Sequence, residues 1–82
     1  MTMYTVKTNP KEADMILNGN KSFVFRGDAP QYVVGTNISF AVIDGKRVTR
    51  HPLEDRVYKI TCIERDAPVD DGIVAIGFRR VS

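Results

Sequence analysis

The order of apolar and polar positions predicts one short helix close to the N-terminus. Residues 2–8 alternate in character, which is typical of a strand. Asn9 then offers an N-cap oxygen, Pro10 suits the first helical position, and Glu12 stands where a capping box places its carboxylate. Gly19 supplies a left-handed residue that ends the helix.

After Gly19 the pattern changes to the alternation of strands. Strands are predicted at 22–26, 37–43, 55–64 and 73–81. The turn Asp44-Gly45 returns the chain into a short partner strand, 46–50, and the following His51-Pro52 ends it. Residues 66–72 are predicted to be a loop. These elements predict an α+β fold: a small mixed β-barrel of five to six strands, with one short helix between the first two strands.

Composition fits a single domain over residues 1–82. The chain is 43% hydrophobic and 27% charged, as in folded proteins. It has no run of about 18 apolar residues and no signal-peptide core, so we expect a cytoplasmic protein without membrane contact. The single Cys62 excludes an internal disulfide and a cysteine-rich zinc site. We expect no metal and no cofactor.

The helix end and the following strands carry a recognisable order of residues: Gly-x-Lys, an aromatic strand ending in arginine, then Val-Gly-x-x-Ile-x-Phe. Its positions in this chain are Leu17, Gly19, Lys21, Phe23, Arg26, Val34, Gly35, Ile38 and Phe40. Together with a closing strand at 72–78, this order resembles the ASCH domains of the PUA-like superfamily. It is most similar to the very small ASCH-like proteins of unknown function in phages and bacteria. The resemblance spans about Tyr4 to Val81 and implies a barrel that contacts RNA or modified nucleosides.

The same resemblance raises the question of catalysis. Some ASCH proteins resemble amidohydrolases that deacylate cytidine, with a lysine, a threonine and a glutamate as the proposed catalytic set. The lysine matches Lys21, but the threonine position is Val24, which has neither a nucleophilic oxygen nor an exchangeable proton. Glu64 is the one nearby candidate for the glutamate. We therefore assign no catalytic residue and expect a binding protein rather than an enzyme.

Four residues form the predicted ligand site. Lys21 could hold a phosphate or carbonyl as a point charge, and Arg26 could clamp a phosphate or stack on a base. Ser22 and Tyr32 complete the set. The structural alternatives are that Lys21 complements the dipole of the helix and that Arg26 pairs with Asp28.

A second candidate surface is a basic region late in the chain. Its cations are Lys46, Arg47, Arg50, Arg56 and Lys59. They could follow a nucleic-acid backbone, or they could keep a strand edge soluble. Arg79 and Arg80 are predicted on opposite faces of the last strand, so that at most one faces a pocket.

Three remaining features have structural interpretations. His51 is predicted to be a loop residue rather than a metal ligand, because the chain has no second histidine. Cys62 is predicted to be a small buried side chain. Phe23 and Phe25 are assigned to the core, because a chain this small needs nearly all its aromatic side chains inside.

The sequence therefore predicts a small nucleic-acid- or nucleotide-binding module that acts as a monomer, with RNA as the favoured partner. The net charge of +2 permits such contacts without requiring them. The alternative is a phage- or prophage-type accessory protein that binds a host protein through an exposed strand edge, 46–50 or 2–8. The third interpretation, an acylcytidine amidohydrolase, requires Lys21 to lose its proton and act as a base.

Overall fold

The computed structural model describes residues 3–64 and 72–81 of the chain. The elements, in order, are β1 (Met3–Thr8), α1 (Pro10–Leu17), β2 (Phe23–Gly27), β3 (Asn37–Asp44), β4 (Arg47–Val48), β5 (Tyr58–Glu64) and β6 (Ile73–Arg80). A short 3₁₀-helix, Pro52–Asp55, precedes β5, which begins at Tyr58 rather than at the predicted residue 55. The predicted loop 66–72 lies outside the described residues except for Gly72. Within the described residues, no helix is long and apolar enough to cross a membrane.

The strands form one mixed sheet, which confirms the α+β prediction and the position of the helix. The strand order is β1-β3-β5-β6-β2, and β4 pairs with β3 beside this path. β1 runs parallel to β3, whereas the other pairs are antiparallel. The β3–β4 hairpin pairs Asp44 with Arg47, so its two-residue turn is Gly45-Lys46, one position later than predicted.

The predicted closed barrel is wrong. β1 and β2 lie at the two ends of the strand order, and no backbone ladder joins them within the described residues. Arg26 of β2 instead donates from Nη2 to the carbonyl oxygen of Lys7 in β1, at 2.8 Å. A guanidinium thus occupies an acceptor that the backbone of a neighbouring strand would use in a closed barrel.

Helix α1 begins and ends as the sequence predicts. The side-chain oxygen of Asn9 accepts a hydrogen bond from the Glu12 amide at 2.7 Å, and Pro10 is the first helical residue. Gly19 follows the C-cap with φ of +80°, a conformation that strongly favours glycine. The helix buries Ala13 and Ile16 against the sheet core.

The core lies between α1 and one face of the sheet. Three of its rings, Phe40, Tyr58 and Phe78, pack with centroids 5.2–5.5 Å apart. The other buried apolar side chains are Val6, Ala13, Ile16, Val24, Ile38, Val42, Leu53, Ile60, Val74 and Ile76. Alternation along 37–43 and 73–81 predicts inward faces of Ile38, Phe40 and Val42 and of Val74, Ile76 and Phe78, and the structure confirms both faces.

Three residues predicted in the core are exposed instead. A register shift in β5 between Ile60 and Cys62 inserts an extra residue, which turns Cys62 out of the core. In β2, Val24 points inward, so Phe23 and Phe25 point outward. One strand cannot bury both sets, because neighbouring side chains alternate between its faces.

Candidate functional site

Lys21 and Arg26 do converge, but on a carboxylate of the same chain. Lys21 Nζ lies 2.8 Å from Glu12 Oε2, and Arg26 Nη2 lies 2.7 Å from Glu12 Oε1. The hydroxyl of Thr8 donates to Glu12 Oε1 at 2.6 Å. We call Thr8, Glu12, Lys21 and Arg26 the Glu12 cluster; it connects β1, α1, the loop after α1 and β2.

The cluster is partly buried, and its hydrogen bonds favour the ionised form of Glu12. The Glu12 side chain is 14% exposed. Burial raises the pKa of Glu12, but the hydrogen bonds from Lys21, Thr8 and Arg26 outweigh it and lower the pKa from 4.5 to about 2. Glu12 therefore neutralises one positive charge of the pair at neutral pH.

This geometry suits structural charge compensation better than acid–base chemistry. A carboxylate with a pKa of about 2 is a weak base at neutral pH, and the Lys21 ammonium has no lone pair with which to accept a proton. Arg26 also donates to the carbonyl oxygens of Phe25 and Lys7. Its partner is thus Glu12, and its guanidinium is held by three contacts.

Lys21 and Ser22 also line a cavity of about 280 Å³ near the C-terminal end of α1 and the end of β6. Its apolar wall consists of Ile16, Leu17, Tyr58 and Phe78. Its cations are Lys21, Arg56, Arg79 and Arg80, and no acidic residue lines it in the described part of the chain. We call this the cationic cavity.

The arginines reach the cavity from two neighbouring elements. Arg56, just after the 3₁₀-helix, donates from Nη1 to the carbonyl oxygen of Leu17 at 3.3 Å, at the end of α1 where carbonyls lack helical partners. Arg79 and Arg80 end β6. Both line the cavity, so the prediction that at most one faces a pocket is wrong. The cavity lies at the strand end rather than over one sheet face, and both long side chains can reach it.

The other predicted ligand residues lie elsewhere. Arg26 does not line the cationic cavity. Tyr32 is half-buried and packs against the core. Its neighbours Gln31 and Val33 line a different cavity of about 340 Å³.

The predicted basic region is divided among separate surfaces. Lys46 and Arg47 lie exposed at the β3–β4 turn. Arg50 lines a cavity of about 500 Å³ beside His51, whereas Lys59 lines the 340 Å³ cavity. Only Arg56 of these five lies in the cationic cavity. The short 3₁₀-helix, which the alternation pattern did not predict, separates Arg50 from Arg56.

His51 contacts the 3₁₀-helix and α1. Its Nδ1 accepts from the amide of Leu53 at 3.1 Å, which caps the 3₁₀-helix, and its Nε2 lies 2.8 Å from Asp14 Oδ1. Because Nδ1 is an acceptor, the neutral ring carries its proton on Nε2 and donates it to Asp14. Among the described residues, no group of three histidine, cysteine or acidic side chains could hold a metal ion.

Neither a protein-family profile nor a curated protein sequence matches this chain.

Proposed function

We propose that this protein is a small nucleotide-binding module of the ASCH or PUA-like type, with RNA as the favoured source of the nucleotide. The observation that carries this proposal is the cationic cavity, an apolar recess lined by four cations and no carboxylate within the described residues. A nucleotide has the matching composition, because it joins a flat base to an anionic phosphate. The mixed sheet with a helix between its first two strands supports the family resemblance, although the sheet is open.

The apolar wall fits the base. Pockets for drug-sized ligands span roughly 300–1,000 Å³. The cationic cavity, at about 280 Å³, lies just below this range and suits one nucleobase with its sugar. Tyr58 and Phe78 supply aromatic surface at the wall.

The arginines fit the phosphate. A guanidinium can bind two phosphate oxygens in parallel, which a lysine cannot do. Arg56 is already oriented by its contact with Leu17, so its side chain loses less conformational entropy when a ligand binds. Lys21 contributes less, because Glu12 compensates its charge.

The test is a calorimetric titration of the protein with cytidine and adenosine monophosphates, the corresponding nucleosides and inorganic phosphate. The double variant Arg56→Gln/Arg79→Gln should weaken mononucleotide binding at least about tenfold, because two charge-assisted contacts are lost. The matched control Lys46→Gln/Arg47→Gln removes the same charge at the exposed β3–β4 turn and should leave the affinity within about twofold, since only a screened long-range effect remains. Absence of mononucleotide binding, or equal losses in both variants, would contradict the proposal.

A second candidate function, protein binding, is supported by the β1 edge. β1 pairs only with β3 within the described residues, and it exposes Met3 and Tyr4. β4 spans only Arg47–Val48 and offers a much shorter edge. The alternative thus predicts strand addition at β1 rather than at 46–50. Nuclease-resistant capture of a host protein that Tyr4→Lys abolishes and Arg79→Gln preserves would support it; a loss only with Arg79→Gln would contradict it.

A further inference from the structure

Phe23 and Phe25 form an exposed aromatic pair on the outer face of the sheet. Their exposed fractions are 45% and 46%, and their ring centroids lie 5.6 Å apart in an edge-to-face arrangement. The residues directly across from them in β6 are Gly77 and Ala75. Gly77 and Ala75 carry little or no side chain, and the sulfur of Cys62 in β5 covers Gly77 beside Phe23. We call Phe23, Phe25, Ala75 and Gly77 the aromatic platform.

The platform lies next to the cationic cavity, with Lys21 between them. Lys21 Nζ lies 5.5 Å from the centre of the Phe23 ring, and Lys21 also lines the cavity. Ser22, the residue between them in the chain, lines the cavity as well. A ligand bound in the cavity could therefore extend over Lys21 onto the rings without crossing another element.

The two ends of the aromatic platform lie near side chains of opposite charge. In the sheet register Glu64 of β5 lies across from Ala75, in the same row as Phe25. Directly paired residues point to the same face of a sheet, so the Glu64 carboxylate is on the face that carries the platform. It lies in the row of Phe25, whereas Lys21 lies beside Phe23 at the other end. An anionic backbone is thus repelled at the Glu64 end, whereas the Phe23 end adjoins the arginines of the cationic cavity through Lys21 and Ser22.

We propose that the aromatic platform stacks bases of a single-stranded nucleic acid whose neighbouring nucleotide occupies the cationic cavity. This inference rests on the proposed nucleotide site and extends it from one nucleotide to a strand. Exposed aromatic rings on a sheet are a recurring stacking surface for unpaired bases, and stacking is tolerant of sequence. A duplex hides its base faces, so the platform selects single strands.

The experiment compares a mononucleotide, a six-nucleotide oligouridylate and the same hexamer in a duplex. The single strand should bind at least about tenfold more tightly than the mononucleotide and than the duplex. Phe25→Ala should weaken hexamer binding by about fivefold or more, the lower end of the loss per stacked base, and leave mononucleotide affinity within about twofold. Phe25→Trp should restore hexamer binding.

Two further variants make the test specific. Val48→Ala removes an exposed apolar side chain away from the platform and should leave hexamer binding unchanged. Glu64→Gln should strengthen hexamer binding and not mononucleotide binding, because it removes repulsion at the far end only.

The outcomes separate the two proposals. If mononucleotides bind but the hexamer binds no more tightly, or Phe25→Ala has no effect on it, the platform proposal fails and the nucleotide site stands. If hexamer binding depends on Phe25 and not on Arg56 and Arg79, the platform stands without the proposed cavity. If Phe25→Ala instead dissociates a dimer, a second copy of this chain covers the platform and the nucleic-acid assignment is wrong.

Discussion

The Glu12 cluster and the cationic cavity both contain lysine and arginine side chains, but in different electrostatic surroundings. In the cluster, the cations of Lys21 and Arg26 meet a carboxylate at 2.7–2.8 Å. In the cavity, arginines surround an apolar wall with no carboxylate among the described lining residues. Lys21 belongs to both regions, and the difference between them is the position of Glu12.

A cation that already pairs with a carboxylate of its own chain is less available to an external anion. Arg26 was the strongest predicted phosphate ligand, yet three contacts within the chain already hold it. Arg79 and Arg80 were predicted on opposite faces of the last strand, yet both line the cavity. Mutations that act on one region and not on the other test this division of roles.

The largest expected effect is that of Glu12→Gln on stability. It leaves Lys21 and Arg26 partly buried without their counter-charge, and breaking such a pair costs about 3 kcal/mol. The free energy of unfolding in urea measures the loss. Glu64→Gln, at an exposed position of β5, is the matched control and should change stability by less than about 0.5 kcal/mol. If Glu12→Gln is neutral, the cluster is not a structural device.

The pH dependence of stability should show the same interaction. Folding lowers the pKa of Glu12 from 4.5 to about 2, so its contribution is complete above pH 4.5 and lost as the pH falls towards 2. That fall in pKa corresponds to about 3 kcal/mol. Urea unfolding of the natural protein and of Glu12→Gln between pH 2 and 7 should give stabilities that converge in acid. A gap that persists at pH 2 would contradict the assignment.

Lys21→Gln should produce smaller effects in both regions. It removes one of the two cations on Glu12 and one of the four cations at the cavity, so we expect a loss of about 1 kcal/mol in stability and about threefold in mononucleotide affinity. Unfolding and binding measurements on the same preparation check both. An effect on stability alone would remove Lys21 from the binding site.

The smallest effect is that of Arg26→Lys. Lysine can still reach the carboxylate but cannot hold the carbonyl oxygens of Phe25 and Lys7 in one fork, which should cost about 1 kcal/mol or less. Mononucleotide affinity should not change, because Arg26 does not line the cavity. A clear loss of affinity would show that the two regions act as one site.

The sequence predicted α1 and most of the strands, because these elements are encoded locally. The start of α1 depends on Asn9 and Pro10, and its end on Gly19, all within a few residues of the helix. The inward faces of β3 and β6 follow from simple alternation. The sequence placed Glu12 at the capping-box position of α1. It could not show that the Glu12 side chain reaches Lys21 and Arg26, because those contacts join separate elements.

The sequence could not predict which face of β2 is buried. Phe-Val-Phe-Arg alternates equally well in either orientation, and size favoured the aromatic side chains as core. The structure buries Val24, which puts Arg26 on the same side of the strand and within reach of Glu12. Glycine and alanine across from the phenylalanines fit the outward orientation, but the sequence alone does not show that β2 pairs with β6 in this register. The bulge that exposes Cys62 had no comparable signal.

The strand pairing also joins segments that lie far apart in the sequence. β1 has to pair with β3 across the helix and β2, and β2 has to pair with β6, the last strand. Few of these contacts are local, and such topologies fold slowly because long loops close before contacts stabilise them. During synthesis, β2 therefore lacks its partner strand until β6 emerges, and its unpaired backbone is exposed beside the two outward phenylalanines. The surface that we assign to unpaired bases is also the one most open to misassembly before folding is complete.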